Sequence, residues 1–451
     1  MKKQIPSYLD PEAITHTQSQ VGEGFISKPI QDDAVFGEIR EGDTNYRDVS
    51  WMGTTALMIK TQIGLGVLSM PKVFDILGIV PGIIILLTIA GMTTWLNWIV
   101  GKFKLHHPNV YGIDDVGKML FGRVGFELFG AAYTLYWIFS DGSALLSISI
   151  SFNALSDHAA CTAVFVAVAA IIAFIFSSIQ TLARMSWLAW LGAVCIIIAV
   201  FIVTVAVGIQ GHAPLTAGVI PEPDVKLFGS PTFVEAMTAV STICLTYAAF
   251  YPSPDYLPNS VTAIYIVVGT VIYYYCGSHV ASPALGSAGI LIKRISYGFA
   301  LPGLSVSATL LLHLPDKHVF IRILRGTKHL TAPTRTHWIV WLGSTFSVIS
   351  VAYIVASSIP VFSDLVSLVG ALLATPLCFQ PMGCMWLYDN WEPGKRQKSL
   401  KWCLGVGWCI FMILAGFFLT IGGTYSSIVS ITTSYHKSGG SSAWSCANND
   451  H

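Results

Sequence analysis

Long apolar segments recur along the chain, separated by short polar stretches. Most approach or exceed the ~20 residues that a helix needs to cross a hydrocarbon core of roughly 30 Å. Several lack Asp, Glu, Lys and Arg altogether, among them residues 81–101, 185–210 and 338–363. Helices are expected because lipid cannot satisfy an unpaired backbone group. The pattern predicts about eleven spanning helices, at residues 51–76, 81–101, 124–153, 162–183, 185–210, 232–251, 260–277, 296–314, 338–362, 365–388 and 402–429.

Composition supports this all-α, polytopic membrane class. Of the 451 residues, 53% are hydrophobic and only 11% are charged, whereas a soluble domain carries about 25% charged residues. Too little polar surface remains to cover a water-soluble body. We expect a polar, disordered cytoplasmic tail at residues 1–50, a transmembrane domain at 51–429 and an extracytoplasmic tail at 430–451.

The basic residues predict the orientation of the chain. Of the 25 lysines and arginines, nineteen fall in segments that share one side of the membrane under this topology, and five fall on the other. Cytoplasmic loops carry the excess of Lys and Arg. The N-terminus is therefore predicted inside, and an odd number of helices leaves the C-terminal tail outside. Residues 1–50 contain no hydrophobic core of a cleavable signal.

The nine cysteines do not indicate a disulfide scaffold. Most lie in or beside apolar runs and are interpreted as small packing residues. Cys161 and Cys276 fall near helix ends on the same predicted outer side, so a bridge between these two remains an open alternative.

The first helix carries the sign of an interruption. An odd helix count fits a ten-helix core plus one helix, the core being two inverted five-helix halves that bind solute near the midplane on broken helices. Gly64 and Gly66 interrupt the apolar run at residues 63–71. They either loosen the helix and let a ligand reach the backbone, or simply allow close helix packing. Spacing alone leaves both interpretations open.

Four ionisable residues lie inside predicted spanning helices, where burial is expensive. They are Lys60, Glu127, Asp141 and Glu235. The two glutamates lie near helix starts and are interpreted as structural. Lys60 and Asp141 lie deeper, and they either serve function or form a buried ion pair, together or with separate partners.

No catalytic motif argues for an enzyme. The chain lacks a GxSxG elbow, a P-loop and an HExxH sequence. The pair His106 and His107 is interpreted as part of a solvated inner loop rather than a metal site. The basic loop cluster near residues 322–335 favours contact with membrane lipid over nucleic acid. We expect no cofactor and no metal.

Several strings resemble the fungal branch of the amino acid/auxin permease family, and within it the neutral amino acid permeases of the N-system or methyltryptophan-resistance type. They are IGLGVLSMP at 63–71, IDDVG at 113–117, YYYCGS at 273–278 running on to Gly289, RGTKHLT at 325–331, and CFQPMG at 378–383. The resemblance implies a five-plus-five inverted repeat and uptake of neutral aliphatic and aromatic amino acids. It favours the plasma membrane, with the vacuolar membrane as the alternative.

An amino acid needs hydrogen-bond donors for its carboxylate and acceptors for its ammonium, and a broken helix offers both. Tyr133, Tyr136 and Tyr247 are candidates for the apolar wall around the side chain. The substrate-binding residues predicted on these grounds are Thr61, Gly64, Leu65, Gly66, Tyr247 and Ala248.

The resemblance also bears on ion coupling. Sodium-coupled relatives have an Asn four residues before the first glycine of the motif, and this chain has Lys60 there. A fixed ammonium could take the place of the missing sodium, so we expect proton symport. A desolvated lysine could exchange protons, and Asp141 is the alternative proton carrier. Ser305, Ser307 and Thr309 are predicted to line the other side of that site.

One region departs from the family. The sixth helix should break and continue as a second half-helix, but Pro252, Pro254 and Pro258 follow closely here and end it instead. We therefore expect an incomplete half-site. A sensor or scaffold, or an impaired transporter, is the alternative function, and a channel is a weaker third choice.

Overall fold

The computed structural model describes residues 31–33, 37–39, 50–180, 182–210, 224–248, 256–437, 444, 446 and 449. Apart from one short β ladder, these residues form helices joined by turns and loops. The helices are α1 Trp51–Ile63, α2 Leu65–Leu77, α3 Ile79–His106, α4 Ile113–Ser156, α5 Thr162–Ser177, α6 Leu182–Gln210, α7 Phe233–Tyr247, α8 Tyr256–Cys276, α9 Ile290–Leu324, α10 Arg335–Ser358, α11 Phe362–Val369, α12 Thr375–Cys378, α13 Gln380–Gln397 and α14 Leu400–Lys437.

The helices bear out the predicted membrane class. Eight segments of the described chain are long and apolar enough to span a bilayer, and α5 and α7 are shorter apolar helices. The first predicted span is divided at Gly64 into α1 and α2. Segments α11 to α13 form one of these eight spans, interrupted by a π-helical turn at Gly370–Ala374. Exposed Leu, Ile and Phe side chains line the outside of α6 and α14, as expected where lipid is the solvent.

Two helices are much longer than the apolar pattern predicted. Helix α4 has 44 residues, with a kink at Gly122, and α9 has 35. Most of their extra turns lie at one end of the bundle and carry charged side chains: Arg322 pairs with Glu127, and Arg325 Nη1 lies 3.5 Å from Asp115 Oδ1. The apolar pattern measures only the part of a helix inside lipid, so these emerging ends were missed.

Cross-helix contacts define two ends of the bundle. The inner end, named for the predicted cytoplasmic side, holds the Arg322 and Glu127 pair together with Asp389, which His107 Nε2 contacts at 2.7 Å. The outer end holds the Arg294 and Asp157 pair. Because Asp157 follows α4 while Glu127 lies near its start, α4 runs from the inner end to the outer end.

A disulfide at the outer end differs from the expected one. Cys161 is bonded to Cys446 in the C-terminal tail. The suggested Cys161–Cys276 bridge is therefore wrong: Cys276 is a buried free thiol whose Sγ lies 3.6 Å from the Ser287 carbonyl oxygen. A position near a helix end did not predict where the side chain points, and Cys276 points into the helix packing.

The tail beyond α14 makes further contacts at the same end. The Trp444 backbone N–H donates to the Ser357 carbonyl at 2.9 Å, and Asn153 Nδ2 donates to Asn449 Oδ1 at 2.6 Å. In the N-terminal tail, expected to lack regular structure, Gln31–Asp33 (β1) and Gly37–Ile39 (β2) form a short antiparallel ladder.

The outer end of α2 is fixed by a loop at residues 224–231. The Ile79 and Val80 backbone N–H groups donate to the Lys226 and Leu227 carbonyls at 3.2 and 3.0 Å. Gly78 lies beneath this loop with a φ of +83°, and a Cβ there would lie 2.3 Å from the Gly229 nitrogen. Only glycine fits at position 78. This contact therefore fixes the outer end of α2 against the loop.

The disulfide leads to a first prediction. In purified protein alkylated without reduction, the Cys161 thiol should be unmodified, and a Cys446→Ser variant should make it reactive. Cys276→Ser is the matched control and should leave Cys161 protected. Peptide mass spectrometry reads out each site. Modification of Cys161 in the Cys276→Ser variant but not in Cys446→Ser would contradict this pairing.

Candidate functional site

The break between α1 and α2 opens backbone groups inside the bundle. Helix α1 ends at Ile63, and α2 begins at Leu65. The Tyr265 hydroxyl donates to the freed Gln62 carbonyl at 2.7 Å. The first N–H groups of a helix have no intrahelical partner, and they carry the positive end of its dipole. The start of α2 therefore presents donors to the interior.

Gly64 and Gly66 lie where neighbouring helices approach closely. A Cβ at position 66 would lie 2.5 Å from Thr246 Cγ2 and 2.9 Å from the Tyr265 hydroxyl. A Cβ at position 64 would lie 3.1 Å from Ser307 Oγ. The two interpretations that the sequence left open thus both apply: the helix breaks at Gly64, and Gly66 permits close packing.

Lys60 lies beside the break and is 1% exposed. Its ammonium donates to the Ser307 hydroxyl of α9. Its stem lies against α6, since a Cβ at Gly192 would be 2.9 Å from Lys60 Cε. Among the described residues no carboxylate forms an ion pair with Lys60. The C-terminal carbonyls of α1 carry the negative end of its dipole and favour this cation.

Only one of the three predicted α9 hydroxyls contacts Lys60. Ser305 Oγ donates to the Leu301 carbonyl at 2.9 Å, and Thr309 Oγ1 donates to the Ser305 carbonyl at 2.8 Å. Residues at i and i+2 do not share a helix face, so Ser305 and Thr309 cannot point where Ser307 does. Of the three predicted hydroxyls, the structure therefore brings only Ser307 to the Lys60 ammonium.

A central cavity surrounds the break. Its empty volume is about 660 Å³, part of it open to solvent. Of the predicted substrate residues it contains Thr61, Gly64, Leu65 and Gly66. Tyr247 and Ala248, also predicted to bind the substrate, are not among the residues that line it. The cavity is lined by Lys60, Thr61, Gln62, Gly64, Leu65, Gly66, Tyr136, Trp137, Ser140, Leu245, Thr246, Ser307, Leu310, Leu311 and Val366.

The rotation of α7 about its axis explains why Tyr247 and Ala248 do not line the cavity. The Tyr247 hydroxyl lies 2.7 Å from Thr262 Oγ1, so its side chain turns toward α8. Ala248 instead offers its carbonyl to the Tyr136 hydroxyl, at 3.4 Å. Leu245 and Thr246 are the α7 residues that face the cavity. Sequence spacing located the correct helix end but not its rotation.

Helix α4 supplies the opposite wall, through Tyr136, Trp137 and Ser140. Tyr136 was among the expected wall residues; Trp137 and Ser140 were missed. The Trp137 indole N–H is buried, and it has no hydrogen-bond partner within the described chain. Such a group can donate to a ligand that enters the cavity.

Two larger cavities lie above and below the central one. An outer cavity with about 1360 Å³ of empty space contains Ser69, Thr242 and Asp364. An inner cavity of about 1430 Å³ contains Tyr133, Trp137 and Lys317. Both volumes include open solvent. Trp137 borders the central and inner cavities alike, so its ring separates them.

Asp141 does not reach the central cavity. It is fully buried, and neither carboxylate oxygen has a hydrogen-bond partner within the described chain. The open alternative of an ion pair between Lys60 and Asp141 is not realised, since Lys60 binds Ser307. Asp316 of α9, which the sequence did not single out, lies close enough to act electrostatically on Asp141.

The remaining polar candidates have structural roles. Glu235 forms a capping box with Thr232 at the start of α7, as expected. Glu127 pairs with Arg322 at the inner end. His106 Nδ1 and His107 Nε2 lie 3.0 and 2.7 Å from the two oxygens of Asp389. Within the described residues no group of three metal-ligating side chains occurs.

Comparison with known proteins gives concordant matches. The family model described as transmembrane amino acid transporter protein matches residues 47–251 and 258–428. A transmembrane transporter of Gibberella moniliformis is 31% identical over 96% of this chain and 97% of its own. An N amino acid transport system protein of Neurospora crassa is 30% identical over 91% of each chain. Among solved structures, a Na⁺-coupled sialic acid symporter in an outward-open state has a TM-score of 0.49 at 12% identity, covering 86% of this chain and 90% of its own.

The close approach at Gly66 yields a second prediction. Gly66→Ala should destabilise the purified protein by about 1–3 kcal/mol, because the new methyl group overlaps Thr246 and Tyr265. Gly91→Ala is the matched control, since nothing lies within 4 Å of a Cβ there. Thermal unfolding in detergent measures both.

Adding Thr246→Ser to Gly66→Ala removes the overlapping Cγ2 and should restore part of the lost stability. Equal melting temperatures for Gly66→Ala and Gly91→Ala would show that the approach of α7 to the break is not as close as described.

Proposed function

The chain belongs to the transmembrane amino acid transporter family, and on this premise we propose that it carries neutral aliphatic and aromatic amino acids across the plasma membrane in symport with protons. Membership of this family makes it a multi-pass membrane transporter of amino acids rather than an enzyme. The observation that carries the finer proposal is the central cavity at the helix break, where Lys60 is the one charged side chain among the described lining residues and is bound to Ser307.

The cavity suits the two ends of a zwitterion. The free N–H groups at the start of α2, near Leu65 and Gly66, can hold the carboxylate. Freed carbonyls at the end of α1 and the Ser140 hydroxyl can accept from the ammonium. Because these are mostly backbone groups, they recognise what all amino acids share.

The rest of the cavity suits an apolar side chain. Leu310, Leu311 and Val366 contribute an aliphatic wall, and Trp137 an aromatic one. Among the described residues no carboxylate lines the cavity to pair with a cationic side chain, and Lys60, the one cation of this lining, donates to a hydroxyl. The Neurospora crassa relative bears the name of an N amino acid transport system protein, which supports an amino acid as the substrate.

Proton coupling is supported by the position of Lys60. Its ammonium lies between α1 and α9, where it contacts Ser307 and would be 3.7 Å from a Cβ at Gly64. A sodium ion at that point would meet a fixed positive charge about 4 Å or less away, which is strongly unfavourable in a dry interior. We therefore assign the coupling to protons.

Orientation is supported by two independent features. The basic residues gather on the predicted inner side. The Cys161–Cys446 disulfide lies at the opposite end, and disulfides persist in oxidising surroundings. Both agree with a cytoplasmic N-terminus and an external tail. The vacuolar membrane, whose lumen could also hold a disulfide, remains the alternative location.

A second candidate function is a sensor or scaffold, or an impaired transporter. The family match is interrupted between residues 251 and 258, and α7 has only 15 residues. The expected break of the sixth helix concerns residues 249–261, of which 249–255 lie outside the described chain. Thr246 is accordingly the last α7 residue assigned to the substrate.

A third prediction tests transport itself. In proteoliposomes with an inwardly directed proton gradient, the chain as written should show saturable leucine uptake. Phenylalanine and tryptophan should compete strongly. Lysine and glutamate should compete weakly, because the described cavity lining has no free charge to pair with their side chains. Competition by lysine alone would refute neutral selectivity, and the absence of any saturable uptake would favour the second candidate.

A fourth prediction concerns the driving ion. At constant pH, replacing choline with sodium should leave uptake unchanged. Lys60→Ala should lower proton-driven uptake about 10-fold or more, because it removes the buried ammonium that contacts Ser307 and leaves a gap between α1 and α9. Lys118→Ala, at an exposed position, is the control and should transport normally.

Uptake that rises with sodium in the unaltered protein would contradict proton coupling. Normal proton-driven uptake by Lys60→Ala would show that Lys60 has no part in the coupling.

A further inference from the structure

A pair of buried carboxyl groups lies outside the central cavity, where α4, α9 and α10 meet. Asp141 of α4 and Asp316 of α9 are both fully buried. Asp316 lies close enough to Asp141 to act on it electrostatically, and the two helices that carry them pack extensively against each other. Neither residue lines the substrate cavity.

The surroundings of this pair contain a second polar group without a partner. His313 lies one turn before Asp316 on α9 and is also fully buried. Neither of its ring nitrogens has a hydrogen-bond partner among the described residues. Its ring packs against Trp341 of α10 with centroids 5.3 Å apart, and the Thr345 hydroxyl, one turn along α10, lies beside Asp316.

Neither Asp141 nor Asp316 forms an ion pair within the described chain. Helix α5 carries no titratable side chain. Several titratable groups on the other helices packed against α4 and α9 contact other partners: Lys60 contacts Ser307, Arg322 contacts Glu127, His337 contacts the His329 carbonyl, Asp364 contacts Ser430 and Ser434, and Asp389 contacts His106 and His107.

Two carboxylates cannot both be ionised in such a site. Burial disfavours each charge, and each charge disfavours the other, so the pair retains at least one proton. A buried acid without a cationic partner is rare in a membrane helix because it is expensive, and it marks a proton relay by default. A purely structural pair would be expected to gain a cation or several hydrogen-bond donors.

Asp141 and Asp316 also stand next in sequence to residues that line the central and inner cavities. Asp141 directly follows Ser140, which lines the central cavity, and it lies one turn beyond Trp137, which closes the inner cavity. Lys317, the residue after Asp316, lines that inner cavity. Water that moved past Trp137 would therefore reach Asp141 within one helical turn.

We infer that Asp141 carries the symported proton, and that Asp316 is a positioning residue whose carboxyl group makes Asp141 hold this proton until the inner cavity opens. A proton from external water forms an O–H bond on the Asp141 carboxylate through the central cavity. That bond breaks when inner water arrives, and the proton leaves to the inner side. No electrons are exchanged, and the pair of carboxyl groups gains one negative charge when the proton leaves. This inference rests on the proposed proton symport and names the residue that carries the proton.

Proteoliposomes separate coupling from substrate movement. Asp141→Asn should retain leucine exchange, which needs no net proton movement, and should lose accumulation driven by a proton gradient. Asp316→Asn should retain accumulation, but its pH midpoint should shift by about one unit or more to lower pH, because the remaining acid no longer has a like-charged neighbour. Asp141→Glu keeps the acid and should restore coupling.

The control is Asp389→Asn, the same chemical change at the inner end, which should alter neither measurement. Accumulation by Asp141→Asn equal to that of the unaltered protein would overturn the inference. An unchanged pH midpoint in Asp316→Asn would also overturn it, and this variant still tests the inference if Asp141→Asn fails to fold. If the unaltered protein itself does not respond to a proton gradient, the proposed function fails first.

Discussion

The buried ammonium of Lys60 is the constraint around which the site is arranged. A lysine inside a membrane protein is stable only if several groups compensate for its lost hydration. Here the compensation is the Ser307 hydroxyl and the negative end of α1, which exists because the helix stops at Ile63. The break, the cation and the close contact of α1 with α9 therefore depend on one another. The same break frees the N–H groups of α2 toward the cavity.

The three cavities lie in sequence between thin barriers. On the outer side, Ser69 faces the outer cavity and Leu65 the central one, one turn apart on α2, and Thr242 and Thr246 repeat this relation on α7. A helical turn is about 5.4 Å long. On the inner side, the barrier is the Trp137 ring. Small movements of these turns would connect the central cavity to one side at a time, as alternating access requires.

Much of the fold followed from apolar segment length, because lipid imposes one simple rule on every spanning helix. The break at Gly64 and the burial of Lys60 and Asp141 could also be anticipated, since glycine and charge stand out in apolar runs. The direction in which each side chain points around its helix could not be anticipated. Ser305 and Thr309 face away from Lys60, and Tyr247 faces α8 rather than the cavity.

Asp316 was overlooked because it lies close to the basic end of α9, where a charge looks solvated until the packing of α4 and α10 is known. The Cys446 partner of Cys161 was missed because pairing depends on where a distant tail lies.

The most direct test of the account is a structure of the protein with bound leucine. We expect leucine in the central cavity, with its carboxylate within hydrogen-bond distance of the first N–H groups of α2 and its side chain against Leu310, Leu311 and Val366. Lys60 should still contact Ser307, with no cation between α1 and α9. A leucine carboxylate paired with Lys60 in place of Ser307, or leucine bound only in the outer or inner cavity, would contradict the central claim that the helix break itself recognises the amino acid.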